Sequence, residues 1–312
     1  MGERLKDKGA IVVGGGGGIG AEIALALAAE GAKVIVNDPG GARDGTGSDK
    51  TPADRTVDRI KEKGGTAVAN YDSAADFNVA EGIIKSCIDN FGRLDILMNV
   101  AGINRERMVW NLTADDWDMV LKVHLYTTFN TCRWAAGIMR QQRSGRIINT
   151  TSTAWLGSMG QANYAAAKGA IVSFTRSIAL QLGRYGVTCN ALSPAAASRM
   201  TVGPEMLEPL VRRLGREEAE RRQAETMQAM PPEHVPPIVV YLCTDEAADI
   251  NGKVFHAVRG RVSIYSDPVE VRSIYNTGEI WSLEQLIDLV PKTLLVGYTN
   301  PMPAEKLEEK TS

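Results

Sequence analysis

Short runs of β-branched and apolar residues alternate along most of the chain with longer stretches in which apolar positions recur every three or four residues. The runs predict strands near Ala10–Gly14, Lys33–Asn37, Thr66–Asn70, Leu94–Asn99, Gly145–Thr150, Val187–Leu192 and Lys253–His256. The helical period predicts helices between them at Ile19–Glu30, Ala53–Lys63, Ala75–Phe91, Thr113–Met139, Ala162–Tyr185 and Glu233–Leu242. Strands that are apolar on both faces, each followed by a helix, predict the α/β class. The expected architecture is a Rossmann-type, doubly wound parallel sheet of about seven strands with helices on both sides. Thr113 suits an N-cap, with Asp115 and Asp116 in the first turn, and Gly183 and Gly186 mark the end of a long helix.

Two segments break this rhythm. Asp38 to Asp54 is rich in Gly, Asp and Thr and predicts a long surface loop. Met200 to Met230 is helical and heavily charged, with Arg212, Arg213, Arg216, Arg221 and Arg222 among glutamates. It reads either as a solvated face or as a substrate lid. The β/α alternation ends near Val262, so residues 1–261 are expected to form the main domain, with a lid at 200–230, and 262–312 a C-terminal extension. Within that extension Ser282-Leu-Glu-Gln285 has the pattern of a capping box opening a helix.

The 312 residues are enough for one large core, and a net charge of −2 argues against a nucleic-acid or anionic-membrane surface. Cys87, Cys132, Cys189 and Cys243 are scattered, without a CxxC or a neighbouring histidine set. They read as small buried hydrophobes in a reducing compartment, with no metal site. The charged start of the chain and the glycines after it fit neither a signal peptide nor a membrane span, so a cytoplasmic location is expected.

Candidate chemistry begins where the first strand meets the first helix. Gly14, Gly18 and Gly20, with Ile19 between the last two, allow a tight turn and close approach of backbone to a pyrophosphate at a helix N-terminus. Asp38 closes the second strand, where a carboxylate accepts from the adenosine ribose hydroxyls and repels a 2′-phosphate. NAD is therefore expected over NADP. Asp72, after the third strand, is placed either to meet the adenine amino group or to serve an ordinary turn. Tyr164 and Lys168 lie four residues apart on one helical face. At roughly 5 Å and an effective dielectric of about 20, their attraction is about 3 kcal/mol. That predicts a phenol pKa lowered to about 7.5, suited to a general base.

Taken in order, these motifs resemble those of the short-chain dehydrogenase/reductase family over about residues 5–258. Gly14-x-x-x-Gly18-Ile-Gly20, Asn99-Val-Ala-Gly102, Tyr164-x-x-x-Lys168 and Asn190-Ala-Leu-Ser-Pro194 match its glycine, NNAG, active-site and nicotinamide-side segments. A narrower resemblance, to the (3R)-hydroxyacyl-CoA dehydrogenase or type 4 17β-hydroxysteroid dehydrogenase branch, is carried by Val36-Asn-Asp-Pro-Gly-Gly41, Ala69-Asn-Tyr-Asp-Ser73, Val123-His-Leu125 and Ser198-Arg-Met-Thr201. The chain departs from the family at Val13, Val100, His124 and Ala195.

The resemblance implies hydride transfer between a nicotinamide and a secondary alcohol or ketone. Tyr164 would transfer the proton, Lys168 would lower its pKa and bind the nicotinamide ribose, and a hydroxyl would hold the substrate oxygen. Ser152 follows the local pattern for that hydroxyl, while the common spacing to Tyr164 lands on Thr151. His124 would help hold a relay water, or is simply a core histidine. Ser73, Asn99, Ala101, Gly102 and Pro194 would join the cofactor contacts. The implied substrates are acyl-CoA or steroid-like alcohols, with lid arginines meeting CoA phosphates and Met200, Met206, Met227 and Met230 lining an apolar pocket. The implied assembly is a homotetramer or homodimer built through the helices at Thr113–Met139 and Ala162–Tyr185. Two alternatives stay open: a 3-oxoacyl-carrier-protein reductase, which Asp38 disfavours, and a non-catalytic partner subunit.

Overall fold

The structure, a computed structural model, describes residues 2–197, 202, 204–278 and 280–301. The segment Ser198–Thr201, including Met200, and the side chain of Met206 lie outside the described residues. The chain divides into two compact units, Met1–Tyr265 and Ser266–Ser312.

The first unit is built on eight strands: β1 (Gly9–Val13), β2 (Lys33–Asn37), β3 (Thr66–Asn70), β4 (Ile96–Asn99), β5 (Gly145–Thr150), β6 (Val187–Ala195), β7 (Val254–Val258) and β8 (Arg261–Ile264). Their order across the sheet is β3-β2-β1-β4-β5-β6-β7-β8. All pairs are parallel except β7 with β8. The sheet is the expected Rossmann-type parallel sheet of about seven strands, with an eighth, β8, at the residues where the extension was expected to begin. The four residues of β8 carry one antiparallel hairpin step and no helix, so they add nothing to the β/α period.

Successive side chains of each strand feed opposite faces. Ala10 and Val12 join one buried cluster with α1 (Gly18–Ala29), α2 (Thr51–Glu62) and α9 (Pro236–Cys243). Ile11 and Val13 join a second with α3 (Phe77–Phe91), α5 (Thr127–Gln142) and α6 (Ala162–Leu182). After β1 the chain runs outward to β2 and β3, then crosses back to place β4 on the other side of β1. The loops leaving β1 and β4 therefore diverge and open a crevice at the C-terminal edge of the sheet, the usual ligand position in this class.

The long helix expected at Thr113–Met139 is interrupted. Helix α4 (Ala114–Leu121) opens on a capping box between Thr113 and Asp116, passes into a π-helical turn at Lys122–Tyr126, and continues as α5. The charged segment is a hairpin of α7 (Pro204–Leu214) and α8 (Arg216–Ala229) broken at Gly215, whose φ of +81° suits glycine. In the second unit α10 (Leu283–Lys292) opens on the expected Ser282–Gln285 capping box. Among the described residues, no helix is long and apolar enough to cross a membrane.

Candidate active site

The crevice is floored by the glycine loop. Gly14 has φ +86° and Gly18 φ +51°. A Cβ on Gly14 would stand 2.5 Å from the Ala101 nitrogen, and one on Gly20 only 2.0 Å from the Gly14 carbonyl. Ile19 is half-buried in the first turn. No side chain caps α1 and no acidic residue stands in its first turn, so its amides face the crevice without a protein anion. Gly17 has open space where a Cβ would be. This bare helix start, reached through glycines, fits a pyrophosphate.

Asp38 is fixed at the end of β2. Its Oδ2 accepts from Gly16 N at 2.9 Å and its Oδ1 from Gly40 N at 2.7 Å. Both bonds hold the carboxylate beside the glycine loop. Asp72 and Ser73 are exposed past β3, with Asp72 Oδ2 accepting from Asn70 Nδ2 at 3.1 Å. Val100 and Ala101 both donate from backbone to the Val13 carbonyl, which brings the turn after β4 against Gly14. Pro194 lies near the end of β6.

Asn99 departs from its expected place. Its Nδ2 donates to Asn149 Oδ1 at 3.0 Å and its Oδ1 accepts from Thr131 Oγ1 at 2.8 Å. Asn149 Nδ2 in turn donates to Thr175 Oγ1 at 3.0 Å. The amide is thus turned into the core, where it ties β4, β5, α5 and α6 together. A side chain with both polar ends occupied inside the fold is not available to the crevice.

Tyr164 and Lys168 project from the first turns of α6, beside the end of β5. Lys168 is 2% exposed, and its Nζ donates to the Thr150 carbonyl at 2.7 Å while lying 5.4 Å from the Tyr164 ring centroid. Burial drives this ammonium down to about 7. Burial also dominates at Tyr164 and pushes its phenol above the ordinary value; a hydrogen bond with Ser152 pulls it down and the charge of Glu106 pushes it further up. The expectation of a phenol lowered to about 7.5 by its lysine is therefore corrected. Desolvation disfavours both charged forms, and the lysine is spent on a backbone carbonyl.

The two candidate hydroxyls separate cleanly. Thr151 is buried, and its Oγ1 donates to the Lys168 carbonyl at 2.9 Å, one turn into α6. Ser152 is half-buried, hydrogen-bonds the Tyr164 phenol, and accepts weakly from Ala154 N at 3.3 Å.

His124 sits in the π turn, 5.1 Å edge-to-face from the Tyr164 ring. Its Nε2 lies 2.8 Å from the Ile103 carbonyl and 3.1 Å from the Ile103 nitrogen, and its Nδ1 is buried without a hydrogen-bond partner. Burial, reinforced by the nearby Lys168 charge, pushes this imidazole well below its ordinary pKa, so it is neutral. A Cβ on Gly102 would meet its Cε1 at 2.4 Å, so glycine there lets the ring in.

Sequence reasoning passed over Asn163. It is 1% exposed; Nδ2 donates to the Arg105 and Asp116 carbonyls at 3.1 and 3.0 Å, and Oδ1 accepts from Tyr164 N at 2.8 Å. It locks the start of α6 to α4 and to the segment before it. The signal available was an asparagine directly before the tyrosine at a helix start, where its side chain competes for backbone groups.

Comparison with known proteins agrees with this geometry. The short chain dehydrogenase family model matches residues 8–203. A short-chain type dehydrogenase/reductase of Mycobacterium tuberculosis is 43% identical over 259 residues, covering 83% of this chain and 84% of that protein. Peroxisomal multifunctional enzyme A of Dictyostelium discoideum is 41% identical over 264 residues, 84% of this chain but 55% of its own length. The hydroxyacyl-CoA dehydrogenase ChsB1 of M. tuberculosis is 36% identical over 295 residues, 90% of this chain and 87% of that protein. Among solved structures, a short chain dehydrogenase from Mycobacterium avium superposes with a TM-score of 0.79 at 38% identity, covering 96% of this chain and 97% of its own. The chain thus spans about half the length of the multifunctional relative, and the names of its relatives match the branch its motifs resemble. The chain belongs to the short-chain dehydrogenase/reductase family, oxidoreductases of CH–OH groups on small molecules that use a nicotinamide nucleotide.

Proposed function

We propose that the protein is an NAD-dependent dehydrogenase interconverting a secondary alcohol and a ketone on a 3-hydroxyacyl-CoA or hydroxysteroid-type substrate. The observation that carries this reading is the meeting of Ser152, Tyr164 and Lys168 at the edge of the glycine-floored crevice. Gly14, Gly18, Ile19 and Gly20 would hold the pyrophosphate and Asp38 the adenosine ribose. Asp72 and Ser73 would border the adenine, and Ala101, Gly102, Pro194 and Lys168 the nicotinamide riboside. When bound, the nicotinamide supplies the hydride acceptor or donor. Asp38 would repel a 2′-phosphate, which favours NAD.

Ser152 would donate to the substrate oxygen and hold it beside the Tyr164 phenol. During oxidation Tyr164 takes the alcohol proton; during reduction it returns one. Lys168, buried and poised near neutrality, stabilises the phenolate when charged. Neutral His124 packs on the phenol and adds no charge.

Substrate features support the lipid-like reading. Trp110, Leu156 and Met159 are 73%, 65% and 71% exposed on the two loops flanking Tyr164, and those loops are joined by Arg107 N donating to the Gly160 carbonyl. Arg216, Arg221 and Arg222 are neutralised by Glu208, Glu218, Glu220 and Glu225. Arg212 and Arg213, exposed in the last turn of α7 and without an ion pair among the described residues, are the cations left for CoA phosphates. A homotetramer or homodimer through α5 and α6 accords with the exposed Phe129 and Leu180 on those helices. The test is a screen of NAD and NADP against 3-hydroxyacyl-CoA thioesters, hydroxysteroids and simple alcohols. The reading requires NAD-linked oxidation of one of the first two classes; preference for NADPH with acyl-carrier-protein substrates would replace it by the reductase alternative.

A further inference from the structure

The loop joining β2 to α2 covers residues 38–50, where such connections ordinarily take about 2–6 residues. It leaves and returns through a closed base, with Asp49 N donating to the Pro39 carbonyl at 3.1 Å. Beyond that base it is a narrow excursion: Gly45 N donates to the Ala42 carbonyl at 3.1 Å and Ala42 N to the Thr46 carbonyl at 2.7 Å. Gly41, Arg43 and Gly45 are half-buried while Ala42, Asp44 and Thr46 are exposed, so one side of the excursion faces protein.

Its tip docks on the segment that follows β4. The Arg43 carbonyl accepts from Asn104 N at 3.0 Å and the Asp44 carbonyl from Arg105 Nε at 3.0 Å. The Arg43 guanidinium, 18% exposed, lies 3.7 Å from Glu106 Oε2. Glu106 is itself held, its Oε1 accepting from Gln161 Nε2 and from Asn104 Nδ2, each at 2.6 Å. Gly45, at φ +90°, lies against Ile103: a Cβ there would stand 3.2 Å from Ile103 Cδ1.

Strand order gives this contact its meaning. β2 and β4 are the two neighbours of β1, and all three are parallel. A loop that starts at the end of β2 and docks beyond the end of β4 therefore passes across the end of β1, where the glycine loop begins. Two strand spacings are about 10 Å. The five residues 39–43 reach about 16 Å when extended, so the crossing is within their span. The same line, from Asp38 past Gly14 to Ala101 and Gly102, is the one a bound dinucleotide would follow.

We infer that residues 39–49 form a strap across the dinucleotide crevice, latched at Asn104–Glu106, which has to unlatch for the nucleotide to enter or leave. The latch contacts join protein groups to one another, so opening them costs the same with the crevice filled or empty. A gate of that kind slows association and dissociation by one common factor and leaves affinity unchanged. A loop that simply gripped the nucleotide would slow dissociation alone.

The test is NADH binding followed by stopped-flow fluorescence, with dissociation measured by displacement with excess NAD. Replacing residues 42–47 by two glycines keeps Asp38 and the Pro39–Asp49 base but leaves the strap too short to dock. Both rate constants are expected to rise by about 10-fold or more, with their ratio nearly unchanged. Arg43→Gln and Glu106→Gln, each removing only the ion pair, should raise both by about 2–5-fold. Unchanged rates in the two charge variants would overturn the inference, whether or not the shortened chain folds. A change confined to dissociation would overturn it too, making the loop a binding contact and not a gate. The inference rests on the reading that this crevice holds NADH. Wild-type protein with no NADH signal would overturn that reading and the strap's role with it, whereas a wild-type signal with invariant rates overturns the strap alone.

Discussion

Replacing Lys168 with methionine should stabilise the protein near neutral pH while removing its chemistry. The ammonium is 2% exposed and burial lowers it from 10.5 to about 7. A lysine whose folded pKa is depressed destabilises the fold when protonated. The penalty is absent above the unfolded value, grows as pH falls from about 10.5, and is complete below about 7. At 1.36 kcal/mol per unit, the full penalty is about 4–5 kcal/mol. Methionine keeps the unbranched stem and fills the same channel. It leaves the Thr150 carbonyl without its donor, which costs about 1–3 kcal/mol at every pH. The net expectation is a variant more stable by about 2–3 kcal/mol near pH 6.5. That advantage should shrink by about 3 kcal/mol between pH 6 and pH 9.5. Urea denaturation of both proteins across that range, at equal concentration, measures it. A variant whose stability difference does not change with pH would refute the assignment of a depressed, buried ammonium.

Four further outcomes follow from the geometry. Ser152→Ala should lower kcat by about 10²–10³, as loss of one donor to a reacting oxygen does. Thr151→Val should instead cost about 1 kcal/mol of stability in thermal melts, through the lost bond to the Lys168 carbonyl, and keep most turnover. Gly20→Ala, whose Cβ would meet the Gly14 carbonyl at 2.0 Å, should abolish the NADH fluorescence signal in protein that still folds. Asn99→Ala should destabilise by about 1–3 kcal/mol, since Asn149 Oδ1 loses its amide donor while Thr131 keeps its bond to the Thr127 carbonyl, and the folded fraction should bind NADH normally.

What could be read from the sequence was what depends on local period and spacing. The parallel strands were legible because residues such as Ile11 and Val12 are buried on opposite faces of one strand. The Thr113 and Ser282 caps were legible because capping is local. The eighth strand was not, since Arg261–Ile264 exists only by pairing with β7. Nor was the π turn, because one extra residue in a turn leaves the apolar period of α4 and α5 nearly intact. The Tyr164–Lys168 pair was correctly placed on one helical face, but the sign of the phenol's shift depends on burial, which spacing does not encode. The same holds for Asn99: its motif was visible, and only the three-dimensional positions of Asn149 and Thr131 show that its amide serves the core.

The central claim is that Tyr164 is the proton-transfer group beside a bound nicotinamide. Tyr164→Phe removes one oxygen and leaves the ring edge-to-face with His124. Turnover with NAD and a 3-hydroxyacyl-CoA, measured alongside NADH affinity by fluorescence titration, addresses it directly. The account predicts that turnover is abolished while the NADH dissociation constant stays nearly unchanged; a Tyr164→Phe protein that still turns over would contradict it.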